Sequence, residues 1–323
     1  MGEYCVTGGT GFIAAHLIQS LLSQGHTVRA TVRHPDNVEK VGFLMELEGA
    51  QERLKLFKAD LMIEGSFDVA VNGVDGVFHT ACPVFIPRSS DDVQASLINP
   101  AIKGTLNVLN SCIKGPSVKR VVLTSSCSAI RYRDDVQQVS PLNESHWSDP
   151  DYCKRHNLWY AYAKTIAEKT AWEVAKDNGL DLVVVNPSFV VGSLLAPQPT
   201  STLDLILSIT KGARGEYPKQ TIGFVHIDDV VTAHILAMEE KKASGRLICS
   251  SSVLNWSDIM KMLKAKYPMY PFESKPSGQK GDDNPHSMDC RKIMELKPGF
   301  PGFKTVSQMF DDCIVSLQEK GFL

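Results

Sequence analysis

The stretch from Tyr4 to Leu17, "YCVTGGTGFIAAHL", decides the fold. A β-rich run gives way to glycines and then to a segment whose Leu17, Ile18, Leu21 and Leu22 recur at helical spacing. Strand, glycine turn and helix in that order are the context that makes a glycine pattern informative. Gly8 and Gly11 let the backbone turn tightly and approach a pyrophosphate, and Ala14 is a third small position for close helix–strand packing. The helix start offers free N–H groups and the positive end of its dipole to a phosphate. Thr7, Gly8, Gly9, Thr10, Gly11, Phe12 and Ile13 are therefore the expected phosphate cradle.

Outward from this stretch, β-rich runs alternate with helical ones, which predicts an α/β fold: a Rossmann-type doubly wound parallel sheet. "HTVRATV", "RLKLFKADL", "GVDGVFHTA", "VKRVVLTSS" and "LDLVVVNPSFVVG" read as the next five strands, the last ending at Pro187, with a helix around residues 97–113. The alternation weakens beyond Gly192. "GFVHIDDVVTAHILAMEE" reads as a strand and a helix capped near Asp228, "GRLICSS" as another strand, and the final amphipathic helix stops at Gly321. Residues 271–287 form a polar stretch rich in Pro and Gly, with little drive to bury itself. The expected organisation is an NADP-binding domain over residues 1–187, to which 221–250 returns. A smaller, interleaved substrate-binding lobe takes 188–220 and 251–323.

The second strand refines the cofactor. An NAD site usually ends this strand with a carboxylate for the ribose 2′-OH. Here it ends in Arg33, with Lys40 downstream. A guanidinium grips a 2′-phosphate that a carboxylate would repel, so NADPH/NADP+ is expected. Asp60 and Leu61, ending the third strand, fall where adenine would lie. Thr80, Ala81 and Cys82, ending the fourth, fall along the dinucleotide path.

The chemistry is expected on "NLWYAYAK", residues 157–164. Residues four apart on a helix share a face, so Lys164 pairs with Tyr160 and not with Tyr162. A phenol is a poor acid near neutrality; an adjacent ammonium and a cationic nicotinamide lower its pKa toward the working range. Lys164 can also donate to the nicotinamide ribose. Ser126, at the end of the fifth strand, supplies a donor to the carbonyl being reduced, while Ser125 and Ser128 serve to cap the strand.

With a formal net charge of −2 and neither sign clustered, the chain has no expected nucleic-acid or acidic-membrane partner. It contains no apolar run of ~18 residues, and so no expected membrane span. Eight cysteines are dispersed without a C-x-x-C pair, the pattern of reduced thiols in a cytoplasmic protein rather than of a metal site. His79 reads as a strand-end histidine, since no second ligand lies at metal spacing.

Together, "TGGTGFIA", the Ser-Tyr-Lys set and "NPSFVVG" resemble the extended short-chain dehydrogenase/reductase family. Within it, "VRATVRHPDNVEKV", "RVVLTSSCSAIR", "ESHWSDPDYCKR" and "FVHIDDVVTAHILAME" are similar to the plant dihydroflavonol reductase/cinnamoyl-CoA reductase group. The resemblance implies that Pro187, Ser188, Phe189, Val190 and Ser201 line the nicotinamide side, and that Arg131 and Phe189 border the substrate. Asp204 and Leu207 stand where cinnamoyl-CoA reductases carry His and Lys, and Ala161 where they carry Cys. Arg131 and Gly223 stand where dihydroflavonol reductases hold the flavonoid ring. "SSCSAIRYRDD" and "DNPHSMDCRKI" instead resemble the branch that reduces the side-chain ketone of fatty-acyl-derived tetraketide pyrones, precursors of the pollen-wall polymer sporopollenin. That likeness implies a hydrophobic polyketide substrate and association with other enzymes of the same pathway. A CoA thioester, an aldehyde or a flavonoid is the alternative substrate, and an NADPH sensor without turnover the alternative class.

Overall fold

The structure is a computed structural model, and it describes residues 1–82, 93–278, 284–296 and 302–323. Its strands in chain order are β1 (Glu3–Thr7), β2 (Thr27–Val32), β3 (Leu54–Lys58), β4 (Gly76–His79), β5 (Arg120–Thr124), β6 (Leu182–Pro187), β7 (Phe189–Val191), β8 (Thr221–His226), β9 (Gly245–Cys249) and β10 (Ser252–Asn255). Seven of them form one sheet in the order β3-β2-β1-β4-β5-β6-β9, with every neighbouring pair parallel. β1 lies between β2 and β4, so successive crossovers run outward from it in opposite directions. The carboxyl ends of β1 and β4 therefore flank the switch point where such sheets bind ligands.

Burial explains why the strands read as near-continuous apolar runs. Every residue of β6 is buried, as expected for a parallel strand covered on both faces. The first helix, Phe12–Ser23, turns Leu17, Ile18, Leu21 and Leu22 into the core, each with no exposed surface. Two further helices matter for the site. Asn99–Lys114 is preceded by a wider π-type turn at Gln94–Ile98, and Trp159–Asn178 closes on Gly179 in a left-handed conformation (φ 64°).

The remaining strands form a second sheet in the order β10-β8-β7, with β8 parallel to β7 and antiparallel to β10. Its core is aromatic: Phe189, Phe224 and Trp256 meet edge to face at 5.4–5.6 Å between ring centroids. The stretch 221–250 thus divides. Thr221–His226 belongs to the small sheet, and the helix Ile227–Glu239 with β9 carries the chain back to the large one. The cap of that helix, expected near Asp228, is His226, whose ring accepts the Asp228 N–H at 3.0 Å. The end of the chain forms the helix Val306–Glu319, opened by a reciprocal cap between Thr305 and Gln308, and Gly321 follows with φ 75°. Of the polar stretch 271–287, residues 279–283 lie outside the described residues. Before them, Glu273 is buried, accepting N–H bonds from Arg214 and Gly215.

Candidate active site

At the carboxyl end of β1 the backbone itself makes the surface. Gly8 adopts φ 71°, and a Cβ there would sit 3.0 Å from the Cβ of Ala81, at the end of β4. Gly9 lies as close to Ala30 on β2, and its N–H donates to the Thr31 carbonyl at 2.9 Å. The first helix opens at Gly11, which offers no side chain to cap it, so its first N–H groups remain available to an anion. Thr7 ties the two strand ends together. Its hydroxyl accepts the Ala81 N–H at 3.0 Å and bonds His79 Nδ1 at 2.9 Å, and its carbonyl accepts the Thr80 hydroxyl. Burial, followed by the nearby Lys164 charge, pushes the His79 imidazole down to about 3, so it stays neutral. A flat cradle free of side chains, beside an uncapped helix start, fits a dinucleotide pyrophosphate.

An open pocket of about 390 Å³ lies past the ends of β2 and β3, lined by Arg33, His34, Pro35, Asp36, Asn37 and Lys58. Lys58 pairs with Val32 in the parallel register, so the last residue of β3 stands beside the residue preceding Arg33. Sequence reading missed Lys58, although the adjacency of the two strand ends is a signal that could have found it. Lys40 does not line this pocket; it sits in the first turn of the helix Val38–Met45, where its N–H bonds the Asn37 side chain. Asp60 closes a local turn by accepting the Met62 N–H, and Leu61 packs against Gly104.

The structure brings Ser126, Tyr160 and Lys164 together. The Ser126 side chain lies beside the Tyr160 hydroxyl and favours its ionised form. Lys164 is buried one turn further on and donates from Nζ to the Thr124 carbonyl at 3.1 Å; it also bonds the Cys82 side chain. Tyr162 points elsewhere, edge-on to Trp159 and with Lys154 over its ring. Burial raises the Tyr160 phenol above its ordinary value, with the Lys164 charge and the Ser126 side chain opposing it. The expected lowering by Lys164 is thus present, but in the chain alone desolvation outweighs it. Burial also acts to lower Lys164, but Cys82, Tyr160 and Glu168 outweigh it and hold the ammonium above its usual value. Ser128 donates its N–H to Ser126 Oγ at 3.0 Å, and Ser125 bonds Glu168 rather than capping the strand.

β6 ends at Pro187, and Ser188 donates its N–H to the Cys249 carbonyl. The Ser188 hydroxyl is buried without a partner among the described residues, as is that of Ser250. A Cβ at Gly223 would meet both residues, at 2.9 Å from Ser188 Cβ and 2.5 Å from Ser250 Oγ. Unsatisfied buried hydroxyls beside a closely approached glycine fit a polar group of a ligand. Phe189 leads into the aromatic cluster, Val190 accepts the Thr202 hydroxyl at its carbonyl, and Ser201 precedes the helix Thr202–Thr210 at φ 55°. Arg131 is buried, donating to the Thr221 carbonyl at 3.3 Å and to the Tyr132 hydroxyl at 2.6 Å. Ala161 and Cys153 are packed into one cluster with Tyr132 and Tyr152. No disulfide joins any of the eight cysteines.

A doubly wound parallel sheet with a glycine cradle at its switch point and a Ser-Tyr-Lys set beside it defines a nucleotide-dependent oxidoreductase fold. Residues 4–248 match the NAD dependent epimerase/dehydratase family, to which the chain belongs, within the plant reductases related to dihydroflavonol and cinnamoyl-CoA reductases. It is 65% identical over 324 residues to tetraketide alpha-pyrone reductase 2 of Arabidopsis thaliana, with all of both chains covered. Cinnamoyl-CoA reductase CAD2 of Medicago truncatula is 45% identical, over 98% of this chain and 96% of that one. Among solved structures, vestitone reductase from alfalfa superposes with a TM-score of 0.82 at 35% identity, covering all of both chains. The yeast methylglyoxal/isovaleraldehyde reductase Gre2, complexed with NADPH, superposes at 0.83 with 26% identity, over 99% of this chain and 100% of that one. The chain is an NADP-dependent oxidoreductase.

Proposed function

We propose that the chain reduces the side-chain ketone of tetraketide α-pyrones to an alcohol with NADPH. The observation that carries this reading is the junction of Tyr160, Ser126 and Lys164 at the end of β5, in a chain 65% identical over its whole length to a tetraketide pyrone reductase. NADPH, when bound, supplies the hydride. Thr7 to Ile13 would hold its pyrophosphate, Arg33 with Lys58, rather than Lys40, its 2′-phosphate, and Asp60 with Leu61 its adenine. Thr80, Ala81 and Cys82 would border the dinucleotide, while Pro187 to Val190 and Ser201 would flank the nicotinamide.

Ser126 donates to the ketone oxygen and polarises it. Tyr160 gives its proton to the oxygen as negative charge develops there. Its raised pKa suits an acid, because the phenol still carries its proton at neutral pH. Lys164, held by the Thr124 carbonyl, stabilises the phenolate left behind until solvent returns its proton. Phe189 and Arg131 border the substrate. The cofactor lies on the lobe of 1–187 with the returning 227–249, and the pyrone against the lobe of 188–226 and 251–323. A cytoplasmic site is supported by the absence of disulfides among eight cysteines. No described helix is long and apolar enough to cross a membrane. A poorly soluble polyketide passed between enzymes favours their association.

The test is loss of nicotinamide absorbance with NADPH and a panel of alkylpyrone ketones, dihydroflavonols and hydroxycinnamoyl-CoA esters. Turnover of the pyrones above the others is expected. Turnover of the CoA esters alone would overturn the substrate, and tight NADPH binding without any turnover would overturn the enzyme reading.

A further inference from the structure

Tyr160 and Lys164 share their helix face with a third residue one turn further on, Glu168. Its side chain is wholly buried, without bulk water to solvate a carboxylate. Four side chains converge on it. Arg246, on β9, donates from Nε at 2.6 Å; Ser125, at the end of β5, donates from Oγ at 2.5 Å. Asn186, on β6, donates from Nδ2 at 2.9 Å, and Trp172 from Nε1 at 3.3 Å. Arg246 is equally buried, lies 3.8 Å from the Trp147 ring centroid, and also donates to the carbonyls of Ala129, Glu144 and His146.

The network borders the residues that carry the candidate chemistry. Thr124 gives its carbonyl to Lys164, Ser125 gives its hydroxyl to Glu168, and Ser126 gives its carbonyl to Asn186 at 3.2 Å. Two consecutive residues, Ser125 and Ser126, are thus tied directly to the cluster, Thr124 before them holds Lys164, and Ala129, just beyond, is tied to Arg246. A cavity of about 10 Å³, close to the room one water needs, is lined by Lys164, Glu168, Ser125 and Thr105. A buried ion pair is weak evidence for stability, because desolvation offsets its attraction. Its convergence on the strand end is a reason of another kind for its presence.

We propose that Glu168, paired with Arg246, is a positioning residue for the reduction: it holds the strand end 124–126 in register with Tyr160 and sets the charge behind Lys164. The groups facing Lys164 are Tyr160 and Glu168 from its own helix, and Cys82 and His79 from the end of β4. Among them Glu168 is the carboxylate, so its removal releases protons from the Tyr160–Lys164 pair at lower pH. The proposal rests on the functional reading above.

The test is kcat against pH for Glu168→Gln, with a tetraketide pyrone ketone and saturating NADPH, beside NADPH affinity by fluorescence and thermal melting. Expected is a loss of kcat of about tenfold to a hundredfold from displaced reacting groups, NADPH affinity within about twofold, and an alkaline limb moved to lower pH. Glu168→Asp, which keeps the charge, should return the limb to the wild-type position while recovering only part of kcat. If Glu168→Gln fails to fold because Arg246 is left unpaired, Glu168→Gln/Arg246→Gln removes both charges and is read for the same displacement of the limb. A limb coincident with wild type in whichever neutral variant folds would overturn the proposal. Loss of kcat no larger than the loss of NADPH affinity would do so too. Wild-type protein that does not reduce the pyrone would instead refute the functional reading itself.

Discussion

The two ends of the proposed active site are built by opposite means. At the nucleotide end, β1 and β4 close on each other so nearly that any side chain at Gly8 would strike Ala81. What matters there is what is missing, and the recognition surface is backbone. At the chemical end, three side chains from a strand end and a helix converge, and their surroundings are tied to residues distant in sequence: Lys164 bonds the Thr124 carbonyl, Asn186 bonds the Ser126 carbonyl, and Arg246 bonds Glu168 one turn beyond Lys164. A surface made by omission is specified locally. A surface made by convergence depends on partners that only the fold brings near.

Tyr160→Phe tests the convergent end most severely. It removes the proton donor and leaves the cradle intact, so kcat should fall by about 10²- to 10⁴-fold while NADPH affinity persists. Tyr162→Phe, with its ring against Trp159, should stay near wild type, as steady-state turnover would show. The reverse result would break the assignment of the helix face. Gly8→Ala tests the other end. At φ 71° and 3.0 Å from Ala81, the added methyl strains the turn by about 1–2 kcal/mol and displaces the phosphate-facing backbone. NADPH affinity by titration should weaken about tenfold or more, with kcat at saturation largely kept. A collapse of kcat at unchanged affinity would erase the distinction between the ends.

That distinction also explains what could be read without coordinates. The glycine turn, the seven strands of the large sheet and the pairing of Tyr160 with Lys164 follow from period and spacing, both local properties. The second sheet was not legible, because β7, β8 and β10 are short and come together from separated segments. Lys58 was passed over because its meaning depends on β3 lying beside β2. Glu168 looked like another charge on a helix, since nothing nearby in sequence announces that Arg246, 78 residues on, lies against it.

The pocket past β2 and β3 is an intermediate case, a side-chain surface assembled by strand order. Arg33→Ala and Lys58→Ala should each weaken NADPH binding by about tenfold, as loss of one charge-assisted contact implies, and leave NADH binding unchanged. Titration of both cofactors separates a 2′-phosphate contact from general destabilisation. Equal losses for the two would remove Lys58 from the site.

The smallest effect concerns a second buried carboxylate, one without the company Glu168 keeps. Asp229 accepts the Lys304 N–H at 2.9 Å, and burial raises its carboxyl to about 6, with the Lys304 bond and charge opposing. The sign follows from linkage. As pH rises from about 4 to about 6, the unfolded carboxyl has lost its proton while the folded one retains it, so stability falls across that window. Asp229→Asn cannot ionise, and its amide oxygen can still accept the Lys304 N–H. Its melting temperature should match wild type below about pH 4 and exceed it by a few degrees above about pH 6. Scanning calorimetry across that range decides the matter: parallel curves would mean that Asp229 is as well solvated as an exposed carboxylate. A gain at neutral pH would show that burial alone penalises a carboxylate here, and hence how much the four partners of Glu168 must overcome.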